Sequence, residues 1–152
     1  IVGRYLLKHS ANLEAAYAAN NIFNPGNQAA VDYHAMPHAV FASPQVASVG
    51  MTEREAEGRG AHYVTSTYAY AYSDTAYGAS IEDKDGFVKV LADPESGEIL
   101  GYHIIGTDAA TLIQEATNVM RVRGGVDVIT QSIYVHPALP EVMQRAVGQL
   151  PV

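Results

Sequence analysis

The chain is predicted to be an α+β domain, an antiparallel β-sheet with helices packed on it, and three observations carry that expectation. Short extended stretches lie close enough in sequence to pair as hairpins, the main helical patterns are grouped after them, and no internal repeat interrupts the 152 residues. A chain of this length buries roughly 70% of its unfolded surface, which suits a main domain with a fair core of its own.

Residues 5–23 open the chain with an Ala- and Leu-rich stretch free of proline, in which Leu6, Leu13, Ala16 and Tyr17 return at helical spacing. Asn20, Asn21 and Asn24-Pro25-Gly26 end that helix, and the polar run Asn24 to Asp32 reads as a linker. Ala39 to Ala42 and Val46 to Gly50, separated by Ser43-Pro44, form two short extended pieces. Thr52-Glu53-Arg54-Glu55 is a capping box, because the Thr52 hydroxyl can accept from the Glu55 N–H while the Glu55 side chain reaches back. Gly58 and Gly60 stop the helix it starts. From Tyr63 to Tyr72 the residues alternate, with Tyr68, Tyr70 and Tyr72 on one face, so a strand with a tyrosine face packed on the core is expected. Residues 86–92 and 99–105 flank Asp93-Pro94-Glu95-Ser96-Gly97, where Pro94 suits the second turn position and Gly97 the left-handed one, which predicts a bulged hairpin. Thr107 or Asp108 then caps a helix with the apolar stripe Ala109, Leu112, Ile113, Ala116 and Met120, ended by Gly124-Gly125. A short helix over Val126 to Ser132 and a last one introduced by Pro140 complete the chain.

Composition narrows the function. There are 16 Asp and Glu against 9 Lys and Arg, for a formal charge of -7, and no Lys/Arg cluster, so neither nucleic acid nor an anionic membrane is an expected partner. The chain has no cysteine, which excludes a disulfide, a thiolate zinc site or a cysteine nucleophile within it. Charged residues are 16% of the chain, below the roughly 25% of an ordinary domain, while apolar residues reach 48%. That balance argues for an ordered chain with part of its surface covered by something else. With no signal-peptide pattern and no long apolar run, a cytoplasmic setting is expected, and the start at Ile1 reads as a fragment of something longer.

Neither G-x-G-x-x-G, G-x-x-x-x-G-K-[ST] nor G-x-S-x-G occurs, so no nucleotide cradle or nucleophile elbow is legible. His34 and His38 have metal-ligand spacing, but the proline after Met36 keeps them off one helical face, and no metal is expected. His9 and His62 read as polar surface positions and His103 as a packed strand residue. His136 differs in kind: it leaves an apolar approach at a proline, and Glu141 follows five residues later in the first turn of a helix. A loop reversal between them brings carboxylate onto imidazole. By spacing alone, His136 is either a structural histidine or the base-and-orienter half of a nucleophilic system.

His136-Pro137-Ala138-Leu139-Pro140-Glu141 resembles the His-Pro-x-x-x-Glu signature of the FAD-dependent pyridine nucleotide-disulfide oxidoreductases, such as dihydrolipoyl dehydrogenase, glutathione reductase and mycothione reductase. Residues 37–52, Gly86-Phe87-Val88-Lys89 and residues 99–106 are similar, in order, to that family's C-terminal dimerisation domain, so that the likeness runs from about residue 36 to 147. The resemblance implies a division into residues 1–35, the last helix of an FAD domain and a linker, and residues 36–152, the dimerisation domain. It implies a homodimer in which His136 is the acid-base catalyst for a small disulfide in the partner's site and Glu141 orients it. The His136-Pro137 backbone would approach the partner's flavin. FAD and NAD(P)H would serve the complete enzyme, with neither bound to this fragment, which alone would be inactive. Ala138 and Pro140 stand where many members carry hydroxyl residues, and Ala-Leu-Pro-Glu together with residues 6–14 looks more like the mycothione reductase branch. A mercuric reductase-like member and a stand-alone dimerisation or binding module without redox role are the alternatives.

Overall fold

In the computed structural model, which describes residues 3–69 and 72–152, five strands form one antiparallel sheet in the order β1-β2-β5-β4-β3. The elements follow as α1 (Lys8–Phe23), β1 (His38–Val40), β2 (Gln45–Gly50), α2 (Glu53–Gly58), β3 (Val64–Tyr68), α3 (Ala76–Ser80), β4 (Phe87–Ala92), β5 (Ile99–Gly106), α4 (Ala109–Arg121), α5 (Val126–Thr130) and α6 (Glu141–Val147). The α+β expectation holds.

Period-2 alternation divides the sheet into two faces. Val49, Tyr102, Val90 and Ser66 stand opposite one another on β2, β5, β4 and β3, as do Ala47, Ile104 and Val88, and these residues are buried. The core joins this face to α4 through Leu112, Ile113, Ala116 and Met120, and to α6 through Val142, Met143, Ala146 and Val147. The opposite face carries the row His38, Ser48, His103, Lys89 and Thr67 across all five strands. There α2 lies over it, with Lys89 paired to Glu53.

Two local motifs form as expected. Thr52 Oγ1 accepts from the Glu55 N–H at 3.3 Å while Glu55 Oε2 accepts from the Thr52 N–H at 2.9 Å, completing the capping box. The β4-β5 turn closes with Gly97 at φ +72° and with Asp93 Oδ1 accepting from the N–H groups of Glu95 and Ser96.

Five expectations are corrected. The strand ends at Tyr68, not Tyr72; Tyr70 lies outside the described residues, and Tyr72 sits in a turn, fully buried, with its hydroxyl donating to the Thr107 carbonyl at 2.7 Å. Its ring lies where a Cβ on Gly86 or Gly106 would stand, 2.5 Å and 2.6 Å away, so two glycines make room for it. Next, α3 is an added helix, capped by Thr75 and, at five residues, too short to show a period. At the start of α4, Asp108 has φ +55° and makes no side-chain cap; the Gln45 side chain takes the Ala110 N–H instead, at 3.0 Å. Finally, α1 begins at Lys8, and Pro140 is the N-cap of α6 rather than its first residue.

Along α1 little is buried: Ile22 and Phe23 are exposed, as is Leu6 just before the helix. The helix is moored by Tyr33, whose hydroxyl donates to Glu14 at 2.9 Å, and by His9, whose Nε2 donates to the Pro37 carbonyl at 2.7 Å.

Candidate functional site

Residues 131–140, between α5 and α6, carry His136 without regular secondary structure of their own. The segment reverses at a cis His136-Pro137 peptide and delivers its chain into α6, whose first residue is Glu141. His136 Nδ1 and Glu141 Oε1 are 2.9 Å apart, and Glu141 Oε2 accepts from the Ala138 N–H at 3.1 Å. The carboxylate therefore bridges the imidazole and the backbone just past it. These two bonds hold the Glu141 carboxyl below its ordinary value of 4.5, the imidazole contact being the larger cause.

An ionised carboxylate can only accept, so Nδ1 carries the proton and the Nε2 lone pair of neutral His136 is left for other work. The His136 side chain is 67% exposed and that of Glu141 only 13%. Ile133 and Val135 are exposed beside it, at 100% and 77%. The imidazole thus stands on an apolar, uncovered rim with its orienting group tucked beneath it. A site of this form can take a proton from a thiol or return one to a thiolate brought to it from outside.

Two tethers that the sequence reading did not single out support this segment. The Tyr134 hydroxyl donates to Glu115 of α4, and Gln144 of α6 donates through Nε2 to the carbonyls of Thr130 and Ser132 at 3.1 Å and 3.2 Å. Burial pushes the Glu115 carboxyl above its ordinary value. The available signals were weak: an acidic residue one place before Ala116 of the apolar stripe, and a tyrosine between two exposed aliphatics.

The other histidines are drawn elsewhere. His34 Nε2 donates to the Met120 carbonyl at 2.8 Å, and His38 lies in β1 opposite Ser48. His103 Nε2 donates to the Met51 carbonyl at 3.0 Å, and burial lowers its pKa. Among the described residues no three His, Asp or Glu gather as metal ligands.

Residues 36–147 match the family profile described as pyridine nucleotide-disulphide oxidoreductase, dimerisation domain. The chain belongs to this family. Among curated relatives of this dimerisation domain, mycothione reductase of Mycobacterium tuberculosis is 37% identical over 147 residues, covering 93% of this chain and 32% of the relative. Dihydrolipoyl dehydrogenase of Corynebacterium glutamicum is 32% identical over 146 residues, covering 96% and 31%. The chain spans about a third of the length of these relatives. Solved structures share the fold: LpdA from Mycobacterium tuberculosis superposes with a TM-score of 0.87 at 20% identity, covering 97% of this chain and 32% of that one. The HOCl-induced flavoprotein disulfide reductase RclA from Escherichia coli does so at 0.82 and 21%, covering 95% and 33%.

Proposed function

We propose that this pyridine nucleotide-disulphide oxidoreductase dimerisation domain pairs with a second copy of itself and supplies His136, oriented by Glu141, as the acid-base group for reduction of a small disulfide. The observation that carries the reading is the 2.9 Å contact between His136 Nδ1 and Glu141 Oε1 on an exposed apolar rim. A disulfide that takes up two electrons releases two thiolates, and each needs a proton to leave as a thiol. His136, charged at that moment, donates from Nε2 to the departing sulfur, and Glu141 balances the charge and holds the ring in place.

FAD, when bound to the remainder of a complete reductase, supplies the relay of electrons from NAD(P)H to a cysteine pair. The residues here fit an edge contact to it and no more: His136-Pro137 is an exposed loop, the sheet is antiparallel, and the chain has no glycine-rich dinucleotide fingerprint. The substrate is a small disulfide of the mycothione or lipoyl kind, by the names of the relatives reported above; the setting expected from the sequence pattern is cytoplasmic.

The test is His136→Gln in the complete polypeptide. Turnover of the disulfide falls about 100-fold or more, in line with the loss of a general acid-base group, while flavin content and flavin reduction by NAD(P)H stay as in the wild type. Unchanged turnover overturns the role of His136.

A further inference from the structure

The segment that bears His136 turns two side chains, two residues apart, back onto the fold, and each meets a carboxylate. His136 meets Glu141 at the start of α6, and Tyr134 meets Glu115 in the middle of α4. Tyr134 is half-buried and packs against the core, whereas Ile133 and Val135 on either side of it are exposed. The α6 contacts alone grip the segment at Ser132, through Gln144, and at Ala138, through Glu141. Between those two points five residues would span freely apart from the imidazole itself. Tyr134 divides that span and does so from a different helix, so the backbone that leads into His136 is fixed relative to α4 as well as α6. Glu115 suits the task because its carboxyl is partly buried and in need of a donor, which the phenol provides without a charge.

We propose that Tyr134, tethered to Glu115, is a positioning residue that fixes the imidazole of His136 for proton transfer. This rests on the acid-base role proposed for His136. The hydroxyl of Tyr134 bonds to Glu115, while the carboxylate of Glu141 takes His136 Nδ1 and the Ala138 N–H. It acts through the backbone, and a displacement of about 1 Å at a reacting group is enough to cost up to 10²-fold in rate.

Two measurements test it, using Tyr134→Phe, which keeps the ring and removes the tether. In the complete polypeptide kcat falls about tenfold with KM for the disulfide and flavin reduction by NAD(P)H unchanged. In the present chain, long-range ¹H–¹⁵N spectra of His136 move from a single tautomer protonated at Nδ1 towards an averaged pair. Glu115→Leu reproduces both effects. Glu115→Gln, which keeps an acceptor for the phenol, restores both to wild-type behaviour, and this pair carries the test if Tyr134→Phe fails to fold. Wild-type kcat and an unchanged tautomer in Tyr134→Phe and Glu115→Leu overturn the proposal. If His136→Gln leaves turnover intact, the acid-base reading fails instead, whereas loss of activity in His136→Gln beside full activity in Tyr134→Phe refutes the positioning role alone.

Discussion

Glu141 carries two bonds with one carboxylate, one to an imidazole and one to a backbone N–H, and both favour its ionised form. Its folded pKa lies below the ordinary 4.5, so the unfolded chain takes up the proton first as pH falls. The stabilisation is therefore complete above pH 4.5 and is lost as pH drops through the folded value. Thermal melts of wild type and Glu141→Gln are expected to differ at neutral pH and to converge on acidification below 4.5. Parallel curves down to the lowest pH at which both fold would show that the carboxylate does not carry this load. The spacing of His136 and Glu141 was legible in the sequence because only a short loop and one helical turn separate them. The Tyr134 to Glu115 bond was not, because the partners are 19 positions apart, with the end of α4 and the whole of α5 between them.

At the scale of elements, the mounting of α6 decides where Glu141 stands. Two sheet hydroxyls hold that seven-residue helix: Tyr102 of β5 donates to the Met143 carbonyl at 2.8 Å, and Ser66 of β3 to the Ala146 carbonyl at 3.0 Å. Tyr102 is fully buried, and its burial pushes the phenol well above the ordinary range, which favours the protonated form that donates this bond. Tyr102→Phe is expected to lower stability by about 1 kcal/mol in urea unfolding, the net worth of one buried hydrogen bond. A change below about 0.3 kcal/mol would mean that packing alone seats the helix. The strand expected over Tyr63 to Tyr72 shows the limit of pattern at this scale. Alternation continues past Tyr68, but β4 offers partners only from Val88 to Ala92, and Tyr72 is worth more inside the core than on an unpaired strand end.

For the whole molecule, the low charge content has a structural counterpart in the apolar side chains left uncovered: Phe41, Val122, Ile133 and Val135 are all more than 70% exposed. Ile133 and Val135 border His136, so covering them with a second copy would bring that imidazole to a partner's surface. The 152-residue chain is expected to sediment at twice its 16.3 kDa, and Ile133→Asp with Val135→Asp to shift it to the monomer. A wild-type monomer at high concentration would count against the proposed assembly, because a stable interface needs roughly 800 Å² from each partner.

Sequence alone determined what needs only neighbours: the capping box at Thr52 and Glu55, the Asp93 to Gly97 turn, the apolar stripe of α4 and the five-residue step from His136 to Glu141. Each follows from backbone preferences and side-chain reach within a turn or two of chain. Tertiary structure decided the rest: Tyr72 inside rather than on a strand, Tyr134 tethered to α4, α6 hung from Tyr102 and Ser66, and His34 turned to the Met120 carbonyl 86 residues away. These contacts arise only when the sheet closes on α4 and α6, since each depends on burial that no local stretch can supply, and a buried polar group must find its partner wherever the fold places one.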